Sequence, residues 1–168
     1  MKTLSNGAAL ASFLLAVAGL ANAVQGQNSS DASVTAEVQQ PITVTTSNDL
    51  DFGTVFAGLD KSVAVTDASA AAFTVQGEAS SNVNLTFTLP ATIASGGNTL
   101  PIANWVARHN TSNSAASGTD FTPSGTPTAA ALSGTGFLYV FMGATAQPPV
   151  DQAAGSYSGT ATLTVVYF

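Results

Sequence analysis

Few residues in this chain have the chemistry that catalysis or metal binding requires. There is one histidine, His109, and no cysteine. A Ser-His-Asp arrangement needs a positioned base. His109 stands beside Arg108 at the start of a polar stretch, and no serine lies in a Gly-x-Ser-x-Gly elbow. Without cysteine there is no thiol nucleophile, no disulfide and no cysteine-based metal centre. Two carboxylates can hydrolyse a glycoside when they flank the scissile bond. Asp49 and Asp51 are spaced to share one face of a strand, and Asp60 and Asp67 flank the next. Their position around Leu50-Asp51-Phe52 reads as turn capping. A calcium site needs clustered oxygens, and no loop has regular acidic spacing. No glycine-rich loop leads into a helix, so a phosphate cradle is unsupported. Trp105, Phe121 and Tyr139 are the aromatic residues from which a carbohydrate platform would be built; spread along strands, they read equally as core. The sequence therefore predicts no catalytic residues, no cofactor and no metal.

Residues 1–23 read as a signal peptide: Lys2, an apolar run from position 8 to 20, and Ala21-Asn22-Ala23 as a small-x-small cleavage signal. The run is short for a membrane span, and no second one follows, so no integral membrane segment is expected. The domain layout is then a leader at 1–23, an N-terminal extension at 24–40, and one folded domain at 41–168. The protein is expected to be secreted, reaching the cell surface through a bacterial periplasm.

Charged residues are 7% of the chain, hydrophobic residues 45%, and the net charge is −6. Without the leader only Lys61 and Arg108 oppose the nine acids, giving 2 − 9 = −7. Two scattered cations do not track phosphates, which argues against nucleic acid as a partner. The sequons at Asn28, Asn84 and Asn110 are expected by chance in a chain so rich in Ser and Thr.

Ser, Thr, Ala, Gly and Val dominate, and strand-length alternation recurs along the chain. Expected strands cover residues 42–45, 50–56 with a bend at Gly53, and 63–65. Others cover 73–75, 83–89, 100–107 and 137–142, the last continuously apolar as in a central strand. Ser95-Gly96-Gly97-Asn98 is a hairpin turn. Residues 109–135 read as a long surface excursion with room for one short strand. In the last strand Tyr157, Ala161, Leu163, Val165 and Tyr167 share one face. The fold class is all-β: an immunoglobulin-like Greek-key β-sandwich of about eight or nine strands.

One segment has two readings. Ala32, Val34, Ala36 and Val38 alternate with Ser33, Thr35 and Glu37, ahead of the break at Pro41. It is either an ordinary first strand or a donor strand that enters a neighbour's sheet. Unpaired backbone at a sheet edge invites a foreign strand, with ladder bonds supplying affinity and alternate side chains supplying register. Gln39-Gln40 is short for folding back beside residues 42–45.

Several motifs carry a resemblance. Leu50-Asp51-Phe52-Gly53, Phe73-Thr74-Val75-Gln76-Gly77, Gly155-Ser156-Tyr157-Ser158-Gly159 and Leu163-Thr164-Val165-Val166-Tyr167 together resemble a family of small secreted bacterial proteins catalogued as a domain of unknown function. The end of the chain is also similar to spore-coat-U-type and archaic chaperone–usher pilin subunits. That likeness implies a sandwich lacking a strand that a neighbour's N-terminal segment completes. It implies donor positions Val34, Ala36 and Val38, and an acceptor groove walled by the strand bearing Tyr157, Ala161, Leu163, Val165 and Tyr167. The implied partners are further copies of the chain, a periplasmic chaperone and an outer-membrane usher. One departure is that archaic pilins generally carry a disulfide. The function expected is a non-enzymatic subunit of an extracellular filament, pilus or coat; the alternative is a monomeric, adhesin-like binding module, glycan-binding for example.

Overall fold

The computed structural model describes residues 28–168; the expected signal peptide at 1–23 lies outside the described residues. Residues 28–36 contain no strand or helix, and each is exposed. Residues 37–168 form a separate unit holding ten strands. The strands are β1 Thr43–Asn48, β2 Lys61–Val63, β3 Ala71–Gln76, β4 Asn82–Thr88, β5 Thr92–Ser95, β6 Asn98–Asn110, β7 Thr119–Phe121, β8 Thr128–Ala131, β9 Phe137–Ala146 and β10 Thr162–Tyr167. The described residues contain no helix, and therefore none long and apolar enough to cross a membrane.

The strands make two antiparallel sheets, a β-sandwich. In the larger, β9 is central. β3 pairs with β9 residues 137–142, β2 pairs with 144–146 farther along, and β6 lies on the other side. β1 flanks β3, while β5 and β7 both flank β6. The smaller sheet has the order β10-β4-β8. The continuously apolar segment thus occupies the central lane, paired on both sides, with Leu138, Val140 and Met142 buried on the core face and Phe137, Tyr139 and Phe141 half-buried on the other.

Period-two alternation decides which side chains enter the sandwich. Phe73 and Val75 of β3, Leu138, Val140 and Met142 of β9, and Val83, Leu85 and Phe87 of β4 form the main core. Each such side chain contributes roughly 1.5–3 kcal/mol when withdrawn from water. A second cluster of Leu100, Ile102, Ala144 and Ala146 extends the core beyond the start of β3.

The two ends of the sandwich differ. At one end the chain passes from Gln76 of β3 into Gly77 and Glu78, near the start of β1, the start of β4 and the end of β10. At the other stand the end of β1, the β5–β6 hairpin and the loops at 49–60 and 147–161.

Three expectations need correction. Residues 50–56 are not a strand: Gly53 takes φ +60°, and its N–H bonds to the Asp51 carboxylate at 2.7 Å. The side chain captures a donor that a ladder would need. Residues 109–135 include two strands, not one, and β8 belongs to the small sheet, burying Ala130 while Leu132 just beyond it is buried as well. Four alternating residues, mostly alanine, carry too little hydrophobic contrast to announce it. The last ladder begins at Thr162; before it, Ser158 bridges to Ala94 of the other sheet, so residues 157–161 cross between sheets. Residues 32–38, read as either a first strand or a donor strand, have no ladder partner within their own chain.

Candidate groove between two unpaired segments

Two loops without ladder partners face each other at the hairpin end of the domain. The first, residues 49–57, leaves β1 and is held by Asp51 N–H to Ser69 O at 3.0 Å and by the Asp51–Gly53 turn. Among the described hydrogen bonds, the amides of Thr54, Val55, Phe56 and Ala57 have no partner. The second, residues 153–161, is tied at Ser158 by reciprocal bonds to Ala94 of 3.0 and 2.9 Å. Its glycines explain the Gly-x-Tyr-x-Gly pattern. A side chain at Gly155 would meet Ser95 Oγ at 2.6 Å, and one at Gly159 would meet Ile93 Cγ2 at 2.7 Å. Both glycines are needed for the loop to lie against β5.

Between the two loops opens a groove of about 1080 Å³. Its floor is the edge of the core, lined by the half-buried Trp105 and by the buried Phe73, Leu100, Ile102 and Met142. Trp105 gets there through a β-bulge. The register of β6 against β9 slips by one residue between Ala103 and Val106, and Asn104 sits at φ +51°. An extra residue flips every later side chain to the opposite face. Ile102 and Trp105 therefore both face the groove, while Val106 is turned out and is 44% exposed. Strict alternation along β6 would have put Val106 inside; the asparagine, which tolerates positive φ, was the only signal of the slip.

One wall is braced from behind. The Tyr157 hydroxyl accepts from Gln152 Nε2 at 2.6 Å and donates to Ala153 O at 2.7 Å. Gln152 Nε2 also donates to Thr99 O at 3.2 Å, and its Oε1 is buried with no partner.

The sequence-predicted positions distribute as follows. Tyr157 and Ala161 line the groove. Leu163 is buried in the main core and Val165 packs against it. Tyr167 lies at the far end, where its hydroxyl accepts from Glu78 N–H at 2.6 Å and donates to Gln40 O at 2.8 Å. Val34 and Val38 are each 93% exposed, and Ala36 is exposed too. The groove loop at 49–57 was missed as a wall because alternation there suggested a paired strand.

Of the acids considered for catalysis, Asp49 and Asp51 line the groove, and Asp60 and Asp67 lie outside it. Asp51 and Asp67 cap turns, the latter accepting from Ala64 N–H at 2.8 Å, and Asp60 accepts from Gln147 Nε2 at 3.2 Å. Arg108 and Asp120 form a two-pronged pair, with Nη2 to Oδ2 at 2.9 Å. Their mutual hydrogen bonding raises the arginine's pKa and lowers the aspartate's. His109 stands 5.7 Å from the Phe121 ring, and burial lowers its pKa below the ordinary 6.5. Phe121 also meets Phe87 at 5.9 Å, and Tyr139 stacks on Phe137 at 6.3 Å. The described ring pairs join neither to Trp105, so the three-residue platform is not assembled. Among the described residues no group of three or more histidines or acids is placed to hold a metal.

The family model for a domain of unknown function, DUF4402, matches residues 60–167. That is well over half of the chain, which therefore belongs to this family. No curated protein matches it.

Proposed function

We propose that this DUF4402 protein is a non-enzymatic structural subunit of an extracellular filament, pilus or coat, in which residues 32–38 of one copy complete the sandwich of the next. The observation that carries this reading is the groove. Two backbone segments outside any ladder flank an open stretch of core, while an alternating apolar segment of the same chain stands outside every sheet. A strand laid between the segments would pair with amides now left free and cover the half-buried Trp105. Net bonding of about 0.5–1.5 kcal/mol per ladder bond adds to the burial of four small side chains. The donor root and the groove lie at opposite ends of the 37–168 unit, so the contact is head to tail and grows without closing. In this reading the fold is an immunoglobulin-like sandwich short of one strand. The unpaired segments are also what a periplasmic chaperone would cover before an outer-membrane usher hands the subunit on.

A second reading has its own support. Trp105 and Tyr157 line the groove together with the amides of Asn48 and Gln152, a mixture that suits a glycan. In that case the protein is a monomeric surface binding module.

Negative-stain microscopy separates the two. The chain starting at Val24 is compared with a copy lacking residues 24–39 and with the full chain carrying Ala36→Asp. Filaments from the first alone support strand donation. Compact monomers from all three, of equal stability, overturn it and direct attention to glycan arrays.

A further inference from the structure

The root of the N-terminal segment is clamped. The Tyr167 hydroxyl donates to Gln40 O at 2.8 Å and accepts from Glu78 N–H at 2.6 Å, and Gln40 N–H donates to Glu78 Oε2 at 3.2 Å. Both sides of residue 40 are thus held by one tyrosine and one glutamate, with the fixed φ of Pro41 next in line. Gly77 makes room for the clamp: a Cβ there would run into the Tyr167 hydroxyl and stand 3.1 Å from Leu132 Cδ1.

We infer that Tyr167 is a positioning residue that keeps the segment at 32–38 from completing its own groove, so that donation runs between copies. The inference rests on the strand-donation reading and adds to it the device that chooses the acceptor.

The argument is one of reach. An extended chain covers about 3.4 Å per residue. With Gln40 clamped, Val38 stays within about 7 Å of it, at the Gly77 end of the domain. The first groove residue on β1 is Thr46, roughly 20 Å from Gln40 along the strand. Val38 cannot enter its own groove from there. Ile42 packs on the core and is the next fixed point. If the clamp opens, Val38 can move about 14 Å from Ile42, which just covers the distance from Ile42 to Thr46. The clamp therefore stands between a donor available to others and a segment that folds back on its own domain.

The absence of cysteine makes the test clean. Cysteines are placed in the arm and on the groove wall of one chain, Ala36→Cys with Ala154→Cys, in the chain starting at Val24. Oxidation then traps either bonds between copies or a bond within one copy. With Tyr167 intact, bonds between copies should dominate. With Tyr167→Phe, the bond within one copy should rise about tenfold relative to bonds between copies, the factor carried by roughly one lost hydrogen bond. A second variant keeps Tyr167 and inserts four glycines after Gln39, extending the reach of Val38 from Gln40 to about 20 Å without touching the clamp; it should shift the partition the same way. A merely stabilising role for Tyr167 would lower the melting temperature and leave the partition alone. An unchanged partition in both variants, with filaments still forming, overturns the clamp and leaves strand donation standing. Neither cross-links between copies nor filaments from the unaltered chain overturns strand donation, and the clamp with it.

Discussion

Asn104 stands at φ +51°, and Trp105 beside it shares the groove with Ile102 although the two are three positions apart in one strand. In a regular strand same-face residues are an even number of positions apart, so the bulge is what delivers the indole to the groove. Substituting Asn104 by valine should cost about 1–2 kcal/mol, because a β-branched residue resists the left-handed conformation, whereas Asn104→Gly should be close to neutral. Urea unfolding measures both. Equal losses in the two variants would mean that the asparagine side chain, and not its backbone, matters there.

Trp105 is the only tryptophan in the chain, so its fluorescence reports on the groove. A synthetic peptide spanning residues 28–40, added to the full chain carrying Ala36→Asp, should shift the emission to the blue as the indole is covered. The same peptide with Asp at its positions 34 and 36 should leave the spectrum unchanged. A shift with both peptides would point to loose association with no side-chain register.

Gly143 lies where the chain leaving β2 crosses β9: a Cβ would strike the backbone oxygen of Val63. Neither strand can yield without breaking the pairs at Val63↔Ala144 and Ala71↔Met142 on either side. Gly143→Ala should therefore destabilise the domain by about 1–3 kcal/mol, the range for overpacked interiors. A loss below about 0.5 kcal/mol would show that the crossing is loose.

His109 and Asp120 make the domain sensitive to acid in the same direction. Burial depresses the pKa of His109, so the folded state favours neutral imidazole. Below the ordinary value of 6.5 the unfolded chain takes up the proton more readily, and the histidine's contribution is lost as the pH falls from there toward its folded pKa. Asp120, depressed by its bond to Arg108, loses its contribution only at lower pH, as the pH falls through its folded value. The melting temperature should drop between pH 7 and pH 5, and less so in His109→Asn. Identical slopes in the two proteins would remove His109 as the cause.

Composition and alternation were enough to determine an all-β domain, its two-sheet architecture and its central strand. Those properties follow from side-chain type and a period of two, which every strand reports for itself. The turn at Gly96-Gly97, the end of the ladder ahead of Pro90 and the inward face of Leu163, Val165 and Tyr167 were legible for the same reason. The groove was not. Its existence depends on residues 49–57 and 153–161 failing to pair, and pairing is a relation between distant segments that no local pattern contains. A turn closed by the Asp51 side chain and a crossing tied at Ser158 left both backbones free, and a one-residue slip at Asn104 decided which aromatic ring would lie between them. Tyr167 was read from its alternation as one more face residue of the last strand. Only the tertiary structure put its hydroxyl against Gln40, 127 positions away in the chain, because hydrogen bonds at that separation are set by how the sheets stack.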